Sequence, residues 1–265
     1  MNFIKVIDNK NVFADGIHDD TKALQECIDK VKDGGTVYFP DGIYLVSASL
    51  IFYSNQIFKL SDNAVILRNK DSEPVTRYLL ASYSEPEWCG YEGTHDVIIS
   101  GGIFDGNKNT TEKSTLVNTV HCRNIRIENC RFRHCSTWHM IEINSTENAV
   151  VENCVFETPV HSILFSGDMN YWFENGPVKD VTIQNCIFNG CNVPIKTDCG
   201  FCPTEKEPYY HENIKVINNE INDFRGLVMR LKNVNNILFE NNKITGIKEN
   251  ENPFELVNCS NVTIK

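Results

Sequence analysis

Positive charge is the scarcer sign: 25 Lys and Arg stand against 35 Asp and Glu, a net charge of −10. That balance repels phosphate backbones and anionic lipid, so neither nucleic acid nor a membrane is expected as a partner. No uninterrupted apolar run is long enough to span a bilayer. Met1 leads into Asn2-Phe3-Ile4-Lys5 without the basic start, apolar run and small-residue cleavage site of a signal peptide. A chain that had shed its leader would read the same way, so a secreted or periplasmic parent stays open and no compartment is assigned. Cys199-Gly200-Phe201-Cys202 has no second Cys-x-x-Cys and no histidine pair at ligand spacing to complete it, so no metal or other cofactor is expected. The leucine consensus of a horseshoe and the Trp-Asp signature of a propeller are missing as well.

What is there is repetition. A ten-residue phrase reads polar, Asn or Asp, apolar, any, apolar, polar, Asn, Cys or Asn, any, Phe or Ile, as in Arg123 to Phe132, and it returns from Glu147, Lys179, Glu212 and Asn235. A glycine variant runs from Asp96 to Phe104, and Ser260 to Ile264 opens another copy. The equivalent residues Gly101, Asn129, Asn153, Asn185, Asn218 and Asn241 are separated by 28, 24, 32, 33 and 23 residues, which means loops of variable length on a constant rung. Each phrase alternates with period two and turns at Asn or Gly, the pattern of short strands stacked into a solenoid. The fold class expected is all-β, a right-handed parallel β-helix. Cys130, Cys154 and Cys186 recur at one place in the phrase, so the eleven cysteines are expected to pack reduced rather than to form a disulfide framework. The asparagines at 129, 153, 185, 218 and 241 are expected to stack as an amide ladder along the axis.

Asp19-Asp20-Thr21 supplies capping side chains ahead of Ala23, Leu24, Cys27, Ile28 and Val31, which share one face at helical spacing and end near Gly34-Gly35. One amphipathic helix is expected there, laid over the open first coil. Residues 1–50 then form a cap of helix and first strands, and 51–265 the coils of the same domain. The last coil is incomplete, which would leave a raw edge unless a second copy or a larger parent chain covers it.

The run from Ala14 to Gln25, continuing through Gly34-Gly35-Thr36-Val37-Tyr38-Phe39-Pro40-Asp41-Gly42-Ile43-Tyr44, closely resembles the opening of the pectate-lyase-like β-helix superfamily, whose members include polygalacturonases, lyases, epimerases and phage tail spikes. A narrower stretch, Ile163 to Ile183 with its Asp168-x-Asn170-x-Trp172-x-Glu174 run and His211-Glu212-Asn213-Ile214 downstream, resembles the family 110 glycoside hydrolases, bacterial α-1,3-galactosidases. The resemblance extends from about Asn148 to about Ile244 and implies a carbohydrate substrate. It supplies no aspartate pair, because the coil before it reads Ser136-Thr137-Trp138-His139-Met140-Ile141-Glu142-Ile143-Asn144.

With Ile141, Ile143, Ile163, Phe165, Ile195, Thr197, Met229 and Leu231 pointing inward, the outward residues of successive coils align as Glu142, Leu164, Lys196 and Arg230, extended by Glu255. Asn144, Ser166 and Asp198 form the neighbouring column, with His139 and His161 near the strand starts. Glycoside hydrolysis needs one protonated and one ionised carboxyl group. Glu142, Asp168, Glu174 and Asp198 are the candidates. A cation such as Lys196 or Arg230 would keep Asp198 ionised, and a Glu beside Trp138 or Trp172 would be the raised-pKa acid. Trp138, His139, His161, Trp172, Lys196 and Arg230 are the expected substrate contacts. The alternatives are a polysaccharide lyase or polygalacturonase-type enzyme acting on uronates, with Lys196 or Arg230 as the cation, and a non-catalytic binding or structural solenoid. In that last case the charged column is only an exposed ladder of ion pairs, Asp168 and Glu174 shape turns, His139 and His161 are structural, and Gly101 to Asn107 is a coil corner.

Overall fold

The computed structural model describes residues 2–72, 77–85, 88–108, 114–135, 137–157, 160–166, 176–198, 210–246 and 252–265. Three long parallel sheets, of ten, nine and eight strands, run the length of these residues, and each coil contributes one strand to each sheet in turn. The fold is a right-handed parallel β-helix. Every phrase start lands on the same rung position: Arg123 pairs with Glu147, Glu147 with Lys179, Lys179 with Glu212 and Glu212 with Asn235. Insertions of different length between phrases therefore leave the rungs in register.

The centre of the coil is filled by like residues stacked on like. Phe104, Phe132, Phe156 and Phe188 follow one another with ring centroids 5.2, 5.1 and 4.7 Å apart and nearly parallel planes, close to the rung spacing of a sheet. Beside them Cys130, Cys154 and Cys186 form a buried column. Each thiol donates back to the carbonyl two residues earlier, Cys130 to Glu128, Cys154 to Glu152 and Cys186 to Gln184. Asn219 continues the column, with its Oδ1 accepting the Cys186 amide and its Nδ2 donating to the Ile183 carbonyl. The Cys-or-Asn position is thus a small side chain that satisfies an inward-turned backbone. The nine described cysteines are all free thiols; Cys199 and Cys202 lie outside the described residues.

The asparagine ladder is in a different column from the one expected. Asn129, Asn153, Asn185, Asn218 and Asn241 all have φ between 53° and 57°. Their role is to take the left-handed turn that Asn tolerates best after Gly, and among the described residues no hydrogen bond joins their side chains. The amide links run instead through the second residue of each phrase, from Asn124 to Asp96, Asn148 to Asn124, Asn213 to Asp180 and Asn236 to Asn213, at 2.7–2.8 Å. Gly101 replaces the corner Asn because a Cβ there would sit 2.3 Å from the Leu60 carbonyl oxygen.

The expected helix spans Thr21–Asp29 and buries Ala23, Leu24, Cys27 and Ile28, with Val31 buried just beyond it. Its N-cap differs from expectation. The Asp20 carboxylate accepts the Phe13 and Ala14 amides of the preceding loop, and Asp19 takes the Thr21 amide at 2.9 Å. The helix closes the third sheet through Gln25. Its Oε1 accepts the Ile51 amide and its Nε2 donates to the Ile51 carbonyl, so one side chain stands in for a missing neighbouring strand. The strands Asn2–Lys5, Asp15–Asp19, Gly35–Phe39 and Gly42–Val46 already belong to the first and second sheets. Among the described residues, no helix is long and apolar enough to cross a membrane.

Candidate functional site

The third sheet carries the polar residues that the repeats align. Its register pairs Asn118 with Glu142, Glu142 with Leu164, Leu164 with Lys196, Lys196 with Arg230 and Arg230 with Glu255. Val120, Asn144, Ser166 and Asp198 pair in the next column. The far end of the first column is an exposed ion pair, where Arg230 Nε lies 2.8 Å from Glu255 Oε2. Toward the middle coils the same face is little exposed: Asn118, Glu142, Leu164, Asn144 and Ser166 are all buried.

Glu142 is the chemically distinctive member. The residue is 8% exposed, and burial raises its carboxyl pKa. Thr115 Oγ1 donates to its Oε2 at 3.2 Å, and Arg77, Asn144 and Asn118 pull the pKa back toward its ordinary range without cancelling the rise. The Arg77 guanidinium lies over two rings, 5.0 Å from the Trp138 centroid and 5.1 Å from that of Tyr78. Trp138 therefore stands near Glu142 by way of Arg77. The result is a buried carboxyl group among neutral hydrogen-bonding side chains, under the influence of one cation that itself lies over two aromatic rings.

His139 and His161 open adjacent strands and stack with centroids 5.6 Å apart. Burial, with the charges of His161 and Lys196, pushes the His139 pKa down to about 3, so its imidazole is neutral at pH 7. Lys196 is thus electrostatically in touch with the histidine pair, as the column alignment implies. Asp168, Trp172 and Glu174 lie outside the described residues, and Asp198 is described by its strand position alone.

Three residues that act on Glu142 are not among the sequence candidates, Arg77, Thr115 and Asn118, nor is Tyr78, which joins them through Arg77. Asn118 carried a usable signal, since it precedes the phrase at Arg123 by five residues, as Glu142 precedes the phrase at Glu147. The other three belong to strands Tyr78–Ser82 and Thr115–Val120 or their approaches, where no phrase marks the frame.

Behind this face, His211 is fully buried and accepts the Val178 amide on Nδ1 at 2.9 Å. Burial lowers its pKa from 6.5 to about 4. The unfolded chain therefore binds the proton first. The stability owed to neutral His211 is complete above pH 6.5 and is lost as pH falls from there toward about 4. Urea unfolding at pH 7 and pH 5 should show a loss of about 2 kcal/mol attributable to this residue, and His211→Asn should flatten that slope. An unchanged slope would mean that His211 is already accessible to protons.

A family profile described as rhamnogalacturonase A/epimerase, pectate lyase-like, matches residues 3–264. Alpha-1,3-galactosidase B of Bacteroides thetaiotaomicron is 32% identical over 112 residues, covering 38% of this chain and 18% of that protein. Plasmin and fibronectin-binding protein A of Streptococcus pneumoniae is 28% identical over 172 residues, covering 61% of this chain and 22% of that protein. The crystal structure of PfbA, a surface adhesin of Streptococcus pneumoniae, superposes with a TM-score of 0.75 at 23% identity, over 92% of this chain and 63% of that one. The chain spans about a fifth of the length of these curated relatives.

Proposed function

Because the chain belongs to the rhamnogalacturonase A/epimerase, pectate-lyase-like family, we propose that it acts on carbohydrate, as a glycoside hydrolase releasing an α-linked neutral sugar of the galactoside type. The observation that carries this reading is Glu142, a buried carboxyl whose pKa is raised among hydrogen-bonding and aromatic neighbours. A carboxyl that burial holds back from ionising is suited to be the donor that a departing glycosidic oxygen requires. The base is Asp198. It stands two rungs further along and one column over, about 12 Å from Glu142 between Cα atoms for rungs ~4.8 Å apart and residues ~3.3 Å apart. A separation wide enough for a water between the two carboxyl groups would give inversion, a closer one retention. Asp168 and Glu174 are the alternative bases. Trp138 offers a ring face to the sugar, with Trp172 as the further aromatic candidate, His139 and His161 hydrogen-bond its hydroxyls, and Lys196 and Arg230 place positive charge on the row beside the base. The curated relatives named α-1,3-galactosidase support the choice of sugar, and the net charge of −10 disfavours polyuronates.

A second reading, a non-catalytic binding solenoid, is supported by the similarity to the plasmin and fibronectin-binding protein, which covers more of this chain than the similarity to the galactosidase does. Incubation with α-galactosides and with polyuronates separates the cases. Reducing ends from the galactoside, with no rise in the ultraviolet absorbance of unsaturated products, are expected. Unsaturated products from the polyuronate would mark a lyase, and silence on both substrates would favour the binder.

A further inference from the structure

One aromatic surface stands in line with the candidate site and is not used by it. Tyr53 follows the strand Leu50–Phe52, Tyr83 follows Tyr78–Ser82, and the Tyr83 amide donates to the Phe52 carbonyl at 2.8 Å. The register pairs Ile51 with Ala81 and Ala81 with Asn118, on the row that leads to Glu142. Two residues along, Tyr53 and Tyr83 therefore head the column that continues as Val120, Asn144, Ser166 and Asp198. Trp88 joins them from the following loop. Ring centroids are 5.3 Å apart for Tyr53 and Tyr83 and 5.7 Å for Tyr83 and Trp88.

These rings are held in place in advance. Thr94 Oγ1 donates to the Tyr83 carbonyl, the Gly93 amide donates to the His121 carbonyl, His121 Nδ1 meets the Gly90 carbonyl at 3.0 Å, and Tyr91 reaches across to the Pro177 carbonyl at 2.9 Å. Gly93 lies beneath Trp88, where an added Cβ would come within 2.7 Å of the indole. Acceptors border the rings, since the Tyr53 hydroxyl donates to Asp29 at 3.1 Å and the Tyr83 hydroxyl to Glu85. Tyr83 itself is 37% exposed. Rigid, partly exposed rings with carboxylates at their rim match one ligand chemistry: a sugar, whose C–H face packs on the ring while its hydroxyls donate to the acceptors.

We propose that Tyr53, Tyr83 and Trp88 form a docking platform for a neutral oligosaccharide lying along the solenoid axis, with its chain leading toward Glu142. The direction toward Glu142 rests on the hydrolase reading; the platform itself does not. Tyr83 and Glu142 are two rungs and one column apart, about 12 Å, more than a single sugar ring spans. The ligand is thus a glycan chain rather than a single sugar, and the acidic surface selects neutral chains over polyuronates.

Native gel electrophoresis through a soluble neutral galactan, with polygalacturonate as the control polymer, tests the platform without requiring catalysis. The protein should be retarded by the galactan and not by polygalacturonate. Tyr83→Ala combined with Trp88→Ala should weaken the retardation by about tenfold or more, and Tyr83→Phe combined with Trp88→Phe should keep it within about twofold because the ring faces remain. Thermal melting accompanies each variant, and if the double alanine variant melts early, Tyr83→Ser alone at the exposed ring carries the decision. Free migration of the unsubstituted protein through galactan, or undiminished retardation of the folded ring-deleted variants, would overturn the platform. The two readings separate cleanly. Glu142→Gln should abolish hydrolysis and leave retardation intact, whereas an unsubstituted protein that cleaves the galactoside but migrates freely through galactan removes the platform alone.

Discussion

Glu142→Gln should lower the turnover of an unactivated α-galactoside by about 10²–10⁴-fold, the range that a positioned general acid contributes. The loss should shrink sharply on an aryl galactoside, whose leaving group departs without a proton. That contrast separates proton donation from mere binding. The pH dependence follows from the direction of the shift: burial raises the Glu142 pKa, the acid works only while protonated, and the native profile should fall on its alkaline side. The variant should lose that limb. Folding stability should move the other way. A carboxyl with a raised folded pKa contributes stability that is fully present below its unfolded pKa and is lost as pH rises through the folded one. Gln keeps an acceptor for the Thr115 hydroxyl and does not ionise, so the variant should melt no lower than the parent at neutral pH. Full activity on the unactivated substrate, or an equal loss on both substrates, would remove Glu142 from the role of acid.

Phe156→Ala should cost about 3–5 kcal/mol of unfolding free energy. The ring is fully buried and lies between Phe132 and Phe188 at 5.1 and 4.7 Å. Deleting it leaves a cavity that the rung spacing prevents from collapsing, since the neighbours above and below are fixed by their own strand pairing, Arg131 with Val155 and Val155 with Ile187. Phe156→Leu retains much of the volume and should cost less. Urea titration with an unchanged slope checks both values, and a loss below about 1 kcal/mol for the alanine would show that the coil relaxes around the gap.

The rung was legible because the phrase states it directly. Apolar residues at every second position, a small Cys or Asn and a terminal Phe or Ile are enough to put Phe132 over Phe104 and Arg123 beside Glu147. From the same counting came the row Glu142, Leu164, Lys196, Arg230 and Glu255. The ladder was placed five residues too far along the phrase because two asparagines per phrase look alike in sequence. Only backbone geometry shows that both take a left-handed turn and that the side chains of the second-position set are the ones that meet.

The environment of Glu142 was not legible in the same way. Its partners Thr115 and Arg77 lie 27 and 65 residues earlier in the chain, beyond the point where phrases keep the frame. Periodicity assigns Glu142 to the outer face and says nothing of how dry that face is. The amino-acid order by itself determined the coil, its register and its stacked core, because those depend on interactions that repeat from rung to rung. The tertiary structure alone decided which outward carboxyl is buried, which cation and rings stand around it, and that one glutamine side chain closes a sheet edge. Those outcomes depend on single contacts between segments that share no repeat, and a period cannot encode an event that happens once.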